Sequence, residues 1–522
     1  MKIGLLIDRG RVASWQADAL RAIAEPSRFF IYDCSNSRSH RTRLAHAVYY
    51  GLNLLAVRNP LTRRVPVPAE LQIDRRTSFE AEPSGAWEQL PSALLDQISE
   101  DSPEIIIKFG MGLLRVPPKL ACPILSYHHG DPRQYRGRPA GFYEIMNGAT
   151  EIGQVVQILS NQLDAGAVVA FAETKAHRHS WRQSLMEAYR VSPLLLSQAI
   201  RNARIGRTLA MNPKGRNYRL PSNVTALHFI ARSIAAWLRR LAYGAFVEKR
   251  WKAAGAALPD DWRIENLHSL VDASTWRTMP IPECYRFLAD PFFGPGDAIL
   301  AEGMRPSGLG EIVSFNGVEC SALPIAGGHC SYPSTLEFEG RQLLLPETSD
   351  WSGPMLFEFT PNGLEHRCAL DVSGRPRLLD PTLFEHRGRW FLFGNRADEG
   401  DKVLRLWFAD SPFGAFCEHP DSPICLSPAG GRMAGSILNH AGRRYRPGQD
   451  LRGSYGDGLL LFEIVELSPG AYRESQCLDL RFGHRGGPHT LNIRANNVLF
   501  DYYDERLSAV AGLRRLRQSR AR

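Results

Sequence analysis

In the N-terminal part of the chain, short apolar runs typical of strands alternate with segments whose apolar residues have helical spacing. Lys2–Ile7 and Arg28–Tyr32 are short apolar runs typical of buried strands, and the spacing within Val12–Ala24 predicts a helix between them. The alternation returns in the strand-like run Glu104–Ile107 and in the long helical pattern Ser180–Ile205. A β-α-β opening of this kind predicts a parallel sheet with helices packed against it.

Further elements complete this predicted α/β domain, which we expect to span residues 1–210. They are the helices Thr42–Leu55, Trp87–Ser99 and Gly141–Met146 and the strands Pro123–Leu125 and Gln154–Leu159. No GxGxxG turn follows the first strand, and this disfavours a dinucleotide-binding domain.

Residues 211–260 are predicted to be a helical connector. Val224–Ala245 has apolar residues at helical spacing, while Arg232, Arg239 and Arg240 fall on its other face. The plainer interpretation is a helix docked between domains with a solvated basic face. The alternative is weak association of this helix with a membrane surface, because basic amphipathic helices bind there.

From residue 261 onward, short β-rich runs recur between Gly, Pro and Asp turns. The same punctuation returns in Ala289-Asp290-Pro291-Phe292, Cys330-Ser331-Tyr332-Pro333-Ser334, Leu379-Asp380-Pro381-Thr382 and Met433-Ala434-Gly435-Ser436. Strand pairs follow it, such as Thr335–Phe338 with Arg341–Leu345 and Leu383–Glu385 with Arg389–Phe393. A four-stranded unit repeated about every 40–50 residues predicts a β-propeller, here with five blades over residues 261–505.

Composition adds limits to this picture. The 522 residues carry a net charge of +9, part of it in a basic tail over 506–522. Nine dispersed cysteines and the absence of a signal peptide predict reduced thiols in a cytoplasmic protein without a structural zinc site. We expect a small-molecule or carbohydrate partner and no nucleic acid, and the oligomeric state stays open.

The clearest candidate chemistry lies around Ser126-Tyr127-His128-His129-Gly130, where a predicted strand ends, and at Asp164 in a later turn. Strand ends of an α/β sheet are where ligand sites form. A His oriented by a carboxylate can move a proton during a reaction. Neighbouring side chains on a strand point apart, so His128 and His129 are not expected to share a metal ion.

This stretch resembles the formyltransferase family that uses 10-formyltetrahydrofolate. Arg136-Gly137 fits an Arg-Gly turn of that family, and the likeness covers about residues 1–205. It implies a Rossmann-like fold, His128 as the proton-transfer group and Asp164 as its orienting partner. It also implies a pterin-binding loop formed by Phe109, Gly110, Met111, Gly112, Leu113 and Leu114.

One residue departs from the family pattern. Ser126 stands where the family has an Asn that donates to the developing oxyanion, and it is the candidate donor here. A serine hydroxyl has a shorter reach, and loss of such a donor can cost on the order of 100- to 1,000-fold in rate. Either Tyr127 or His129 compensates, or the fold serves another reaction.

The second half resembles the five-bladed propellers of arabinanase- and fructosidase-type glycoside hydrolases, and more closely the propeller of plant glucosaminyl inositolphosphorylceramide transferases. The motifs that carry the likeness are Ala289-Asp290-Pro291-Phe292, His329-Cys330-Ser331-Tyr332-Pro333, Pro346-Glu347-Thr348-Ser349, Asp380-Pro381 and Tyr445-Arg446-Pro447-Gly448-Gln449-Asp450. It implies a carbohydrate-binding funnel lined by Asp290, His329, Glu347, Asp380, Arg446 and Asp450. In the plainer interpretation the Asp-Pro units only make turns.

Together these patterns predict an enzyme of glycan biosynthesis that transfers a formyl group from 10-formyltetrahydrofolate to an amino sugar or sugar nucleotide. Two alternatives stay open. The propeller could itself modify a glycan as a hydrolase or transferase, which requires two carboxyl groups across the scissile bond. The chain could instead recognise carbohydrate without catalysis.

Overall fold

The structure is a computed structural model that describes residues 1–23, 25–36, 43–118, 120–317, 319–351 and 353–515. The chain divides into two compact units, Met1–Leu238 and Arg239–Arg522. Each unit is described by itself below. Among the helices of the described ranges, none combines the length and hydropathy that crossing a bilayer requires.

The first unit contains the predicted alternation of strands and helices. Its strands are β1 (Lys2–Asp8), β2 (Arg11–Ala13), β3 (Arg28–Cys34), β4 (Arg64–Pro66), β5 (Gln72–Phe79), β6 (Glu82–Ser84), β7 (Trp87–Gln89), β8 (Ile105–Lys108), β9 (Ile124–His128), β10 (Tyr135–Gly137), β11 (Glu151–Ile158), β12 (Ala167–Lys175) and β13 (Arg216–Tyr218). Its helices are α1 (Ser14–Arg21), α2 (Ala47–Ala56), α3 (Ser92–Asp101), α4 (Phe142–Met146) and α5 (Trp181–Arg204), with short 3₁₀ turns at Leu44–His46 and Pro60–Thr62. Helix α6 (Asn223–Phe246) begins in this unit, and its residues from Arg239 onward belong to the second.

The main sheet of this unit has the strand order β5-β3-β1-β8-β9-β11-β12. The five strands from β5 to β9 run parallel, and β11 and β12 continue the sheet antiparallel. Parallel strands are buried on both faces, which explains why Ile3, Leu5, Leu6 and Ile7 of β1 are all fully buried. The carboxyl ends of β1, β8 and β9 meet at one edge of the sheet.

The helix predicted over Trp87–Ser99 begins later than its apolar spacing indicated. Trp87–Gln89 is the short strand β7, which pairs with β6, and α3 starts at Ser92. Pro91 is the N-cap residue with an extended ψ of 152°. Because proline lacks an N–H and has a fixed φ, it is well suited to the position where a helix begins. Leu94 and Ile98 of α3 then pack into one hydrophobic cluster with Leu6.

The second unit is a five-bladed β-propeller, as the repeated punctuation predicted. Its helix α7 spans Leu267–Ala273 after a 3₁₀ turn at Ile264–Asn266. Its strands are β14 (Val247–Ala257), β15 (Arg277–Thr278), β16 (Phe287–Phe293), β17 (Ile299–Met304), β18 (Gly310–Asn316), β19 (Glu319–Ala322), β20 (Cys330–Phe338), β21 (Arg341–Thr348), β22 (Met355–Thr360), β23 (Gly363–Ala369), β24 (Asp371–Val372), β25 (Leu378–His386), β26 (Arg389–Arg396), β27 (Val403–Ala409), β28 (Ala415–Glu418), β29 (Cys425–Leu426), β30 (Ala429–Met433), β31 (Leu438–His440), β32 (Arg443–Asp450), β33 (Leu459–Ser468), β34 (Ala471–Leu480), β35 (Leu491–Arg494) and β36 (Asn497–Leu507).

Within the described residues these strands form five sheets, which we number as blades. Blade 1 is β16–β19, blade 2 is β20–β23, blade 3 is β25–β28 with β24 and β29, blade 4 is β30–β34, and blade 5 is β35-β36-β14-β15. Blade 5 joins the two ends of the unit, because β14 pairs with β36 from Val247↔Leu507 to Ala257↔Asn497. This pairing closes the ring of blades and leaves it without a free edge there.

The connector predicted over 211–260 is helical only over α6. Val247–Ala257 is instead the strand β14 of the propeller, although its Lys, Glu and Ala residues favour a helix. Pairing with β36 overrides that preference, and Trp251, Ala253 and Ala254 are buried in the blade. The predicted tail likewise begins later than residue 506, because β36 extends to Leu507. Residues 516–522 of that tail lie outside the described residues.

One backbone device recurs on the first strands of blades 1, 2 and 3. Asp290, Tyr332 and Asp380 have φ values of +49°, +48° and +45°, each is followed by proline, and the strand pairing shifts register at each of them. Positive φ is uncommon for residues other than glycine and clusters where a structure must aim a side chain. The Asp-Pro units are therefore bulges within the first strands of the blades.

Candidate functional sites

The first candidate site is at the carboxyl edge of the parallel sheet. His128 is the last residue of β9, and Asp164 lies in the turn between β11 and β12. The turn returns Asp164 so that its Oδ1 is 3.5 Å from Nδ1 of His128. The backbone N–H of Gly137 donates to Oδ2 of Asp164 at 2.9 Å, and Nε2 of His128 lies 3.3 Å from the carbonyl oxygen of Tyr135. The structure thus brings together the predicted His and Asp, and a carboxylate contacts the imidazole.

Ser126 lies two residues before His128 on β9, so both side chains belong to the same face of the sheet. It is 8% exposed and is paired in register with Lys108 of β8 and Gln157 of β11. Lys108 was not singled out from the sequence, although a charged residue that ends the run Ile105–Ile107 is a visible signal. Burial lowers the pKa of Lys108 to about 8, against the opposing charges of Asp8, Glu88 and Asp164.

Tyr127 and His129 belong to the opposite face of β9. The hydroxyl of Tyr127 donates to the carbonyl oxygen of Ser192 at 2.8 Å, and Nε2 of His129 is 3.0 Å from the hydroxyl oxygen of Ser192. Burial and the nearby His128 lower the pKa of His129 to about 3, which keeps the imidazole neutral. Neither side chain lies beside Ser126, so the compensation that the sequence left open does not come from them.

The predicted pterin loop, residues 109–114, is tied to the protein through its backbone. The N–H groups of Phe109 and Gly110 both donate to the carbonyl oxygen of Leu6. The N–H of Met111 donates to Oδ1 of Asp8 at 2.8 Å, and that of Gly112 donates to Oε2 of Glu88 at 2.7 Å.

The remaining loop residues, Leu113 and Leu114, are 37% and 2% exposed. The cavity that contacts His128 has a volume of about 10 Å³, whereas small-molecule sites usually enclose about 300 Å³ or more. None of the six loop residues lines this cavity, and the pterin site stays a prediction.

The second candidate site is a cavity of about 940 Å³ in the propeller. Its buried lining includes Asp290 of β16, Glu302 of β17 and Glu347 of β21. Basic and aromatic groups from other strands and loops complete the lining: Lys249, Trp251, Arg286, His329, Arg377, Arg432, Tyr455, His489, Arg514 and Arg515. Three of the predicted funnel residues, Asp290, His329 and Glu347, therefore line one cavity.

Asp380 lies behind this lining and holds two of its members. The N–H of Asp380 donates to Oε2 of Glu347 at 2.9 Å, while Arg432 donates to the Asp380 carboxylate through Nε at 2.5 Å and NH2 at 3.0 Å. The NH2 group of Arg432 also lies 3.5 Å from Oε2 of Glu347, and Gln449 donates to Oδ2 of Asp380 at 2.9 Å. Burial and the charge of Asp380 hold the pKa of Glu347 well above its usual range, although Arg432 opposes this. These effects favour the protonated form of Glu347, which contacts the cavity.

A buried charge cluster lies beside it, where blades 1 and 5 meet. Nε2 of His489 is 3.2 Å from Oδ1 of Asp290, and its Nδ1 is 2.7 Å from Oδ2 of Asp501. Burial opposes the charged imidazole, but the two carboxylates raise the pKa of His489 to about 9. The ligand atoms of these three residues are close enough to hold a metal ion. A charged imidazole offsets one of the two carboxylate charges, so the same three residues can also form an ion-paired cluster.

His329 contributes a neutral donor to the same cavity. The N–H of Gly310 donates to Nδ1 of His329 at 2.9 Å, so the ring proton belongs on Nε2. That nitrogen lies 3.6 Å from Oε1 of the buried Glu302. The backbone N–H of His329 donates to the hydroxyl oxygen of Ser349 at 3.0 Å, which fixes the start of β20.

Two further predicted funnel residues are, like Asp380, not part of the described cavity lining. Arg446 is fully buried and forms a bidentate pair with Glu474, with both distances 2.7 Å. Asp450 accepts hydrogen bonds from Arg452 and Arg481. Both belong to β32, where these ion pairs orient them away from the lining.

Sequence reasoning missed Arg432, Glu302, Tyr455 and His489 as lining residues. Arg432 immediately precedes the Met433–Ser436 punctuation that marked blade 4, and His489 follows a Gly-Pro pair. These signals place both residues at blade starts, as for Asp290. Glu302 lies in the ordinary alternation of a second strand, and only the structure assigns it to the cavity.

Comparisons with known proteins concern the propeller most directly. A family model described as Glucosamine inositolphosphorylceramide transferase 1, N-terminal, matches residues 317–486. This segment contains Glu347, Asp380 and Arg432. The glucosamine inositolphosphorylceramide transferase 1 of Oryza sativa subsp. japonica is 32% identical to this chain over 152 residues, and that of Oryza sativa subsp. indica is 31% identical. Each match covers 28% of this chain and 20% of the relative, so this chain spans a fifth of the length of these relatives.

Two solved structures each align with a little under half of this chain. Glycinamide ribonucleotide transformylase 1 from Symbiobacterium toebii aligns with a TM-score of 0.26 and 19% identity over 42% of this chain and 94% of that structure. The GH43_1 enzyme from Xanthomonas citri aligns with a TM-score of 0.30 and 15% identity over 45% of this chain and 95% of that structure.

Proposed function

We propose that the propeller cavity binds a glycan that contains an amino sugar, and that a glycosidic bond is formed or broken there. Glu347 carries this proposal, because it is a carboxyl group with a raised pKa that contacts a cavity of about 940 Å³. A protonated carboxyl can give its proton to the leaving oxygen as the bond to the sugar breaks, while water or an acceptor hydroxyl supplies the new bond.

The charge distribution of the lining supports an amino sugar joined to an anionic group. Asp290, Glu302 and Glu347 are at most 9% exposed and can accept hydrogen bonds from an ammonium group or from sugar hydroxyls. Arg514 has 49% of its side chain exposed and Arg377 is also exposed, so both can contact a phosphate. The names of the two rice relatives mention glucosamine and inositolphosphorylceramide, and both agree with this substrate class.

The test has two stages. Thermal shift with glucosamine, N-acetylglucosamine and UDP-N-acetylglucosamine finds ligands that stabilise the native chain. Turnover of aryl glucosaminides is then compared between Glu347→Gln and Glu365→Gln, where Glu365 is an exposed residue of β23. We expect Glu347→Gln to lower turnover by about 10²–10⁴-fold and Glu365→Gln to leave it unchanged. Equal turnover in both variants would contradict the proposal.

Formyl transfer by the first unit, with 10-formyltetrahydrofolate as donor and an amino sugar as acceptor, is the second candidate. The 3.5 Å contact between His128 and Asp164 favours it. In this reading His128 takes the proton that the attacking amine loses, Asp164 orients the imidazole, and Ser126 donates to the oxyanion. We rank this candidate second, because the cavity that contacts His128 has a volume of about 10 Å³.

A further inference from the structure

Helix α6 leaves an apolar face in contact with solvent. Leu227, Ile234, Leu238 and Leu241 are between 49% and 56% exposed, and Trp237 is 48% exposed. Because the four aliphatic residues are three, four or seven positions apart, they share one side of the helix. A contiguous apolar patch left in contact with solvent is a candidate interaction surface.

A neighbouring face of the same helix is firmly docked. Ala226 and Phe229 are buried, and the ring of Phe229 stacks on Phe142 with centroids 4.3 Å apart. The side chain of Asn223 accepts from the N–H of Val48 at 3.0 Å and donates to the carbonyl oxygen of Leu44 at 2.9 Å. The start of α6 is therefore fixed, and the exposed apolar side is the one left over after docking.

The apolar surface continues into a groove of about 270 Å³ between α2 and α6. Its lining includes Leu55, which is 72% exposed, together with Ile234 and Trp237. At its edge Arg182 donates to the carbonyl oxygens of Leu55 and Arg58. Apolar area thus extends sideways from the helix and is bordered by positive charge.

Charge decides which partner this surface fits. The segment Asn223–Phe246 contains Arg232, Arg239 and Arg240, all exposed, and no Asp or Glu. A second copy of the same helix would bring like charges together. An anionic lipid surface satisfies both features, because arginines reach the headgroups while Leu and Trp side chains enter the acyl boundary.

We propose that this face of α6 binds to the surface of an anionic membrane. The apolar face consists of Leu227, Ile234, Trp237, Leu238 and Leu241, and the arginines Arg232, Arg239 and Arg240 on the other, polar side of the helix supply the positive charge. The helix lies in the plane of the headgroups without crossing the bilayer, and Trp237 sits at the interfacial depth that indoles prefer. This inference does not depend on the activity of either unit.

Sedimentation of the full chain with vesicles tests it. One vesicle type contains phosphatidylcholine alone, and the other adds phosphatidylglycerol. We expect sedimentation with the anionic vesicles, weaker binding to the neutral ones, and loss of binding as salt rises. The triple variant Arg232→Gln/Arg239→Gln/Arg240→Gln and the double variant Leu227→Ser/Leu238→Ser should each weaken binding by on the order of tenfold or more.

The matched control removes the same number of charges from the basic tail, as Arg517→Gln/Arg520→Gln/Arg522→Gln. This variant should bind as the unchanged chain does. Circular dichroism melts verify that each variant folds. Failure of the unchanged chain to bind anionic vesicles overturns the proposal, and so does full binding by the α6 variants. If the tail variant loses vesicle binding to the same extent, the proposal is overturned, because the overall positive charge of the chain would then explain the binding. The proposal is also overturned if the chain does not bind vesicles but forms a dimer in sedimentation velocity, and Leu227→Ser/Leu238→Ser dissociates that dimer. The apolar face would then bind a second copy of the chain.

Discussion

Arg432 donates two hydrogen bonds to the carboxylate of Asp380, through Nε at 2.5 Å and NH2 at 3.0 Å. Glu347, which accepts from the N–H of Asp380, thus has a negative charge and a positive charge as neighbours. The two neighbours act on it in opposite directions, and burial adds to the effect of Asp380. The protonation of Glu347 therefore depends on a balance that single substitutions can change.

Replacing Asp380 with Asn should lower the pKa of Glu347, since a neighbouring negative charge is removed while Arg432 stays. If Glu347 acts as an acid, the alkaline limb of the pH–activity profile should move to lower pH. Asp350→Asn is the control, because Asp350 also lines the cavity but is not a cause of the raised pKa. An alkaline limb that stays in place or moves upward in Asp380→Asn would contradict this balance.

His489 predicts a pH dependence of stability. Its pKa is raised from 6.5 to about 9 in the folded chain, so the stabilisation is fully present below pH 6.5 and is lost as pH rises through about 9. The shift corresponds to on the order of 3 kcal/mol of unfolding free energy, at about 1.4 kcal/mol per pKa unit. Urea unfolding across this range should give a slope that His489→Gln largely removes. His366→Gln, at an exposed position of β23, should keep the slope of the unchanged chain.

Arg446 should matter for stability rather than for ligand binding. Arg446→Met leaves the Glu474 carboxylate without its bidentate partner, and breaking a buried pair in this way typically costs about 3–5 kcal/mol. The melting temperature should fall clearly, while a ligand found by thermal shift still binds below the melt. Arg443→Met is the comparison, because that side chain is 64% exposed and its pair with Glu463 is worth at most about 1 kcal/mol. If folded Arg446→Met no longer binds that ligand, Arg446 takes part in ligand binding and this prediction is wrong.

If the first unit transfers a formyl group, His128→Asn should lower that activity by about 10²–10⁴-fold with glucosamine as acceptor. His228→Asn changes an exposed histidine of α6 and should have no effect. Glu347→Gln should also leave formyl transfer intact, which separates the two candidate functions. Formyl transfer that survives in His128→Asn would remove this histidine from the reaction.

The fold was largely predictable where local signals repeat along the chain. The Asp-Pro punctuation of Asp290 and Asp380 predicted the blades, because the same bulge recurs on the first strands of blades 1 and 3. Closure of the propeller was not predictable from local pattern, since β14 pairs with a strand at the other end of the unit and has a composition that favours a helix. Pairing over such a distance leaves no trace in either segment alone.

The candidate site residues likewise differ in how far the sequence could predict them. The pairing of His128 with Asp164 was predicted through the resemblance to the formyltransferase family, and in the structure the turn between the antiparallel strands β11 and β12 returns Asp164 to the end of β9. Arg446 could not be excluded from the funnel, because its partner Glu474 lies on β34, two strands away in blade 4, and only the pairing within the blade reveals it. The role of Arg432 depends on contacts with two other blades, which no local pattern predicts.

The location of a bound sugar tests the central claim most directly. We would soak crystals of the full chain with the amino sugar that gives the largest thermal shift and determine where it binds. The account predicts the sugar in the propeller cavity, with polar contacts to Glu347 and Arg432 and the amino group facing Asp290 or Glu302. A sugar bound only outside that cavity would contradict it.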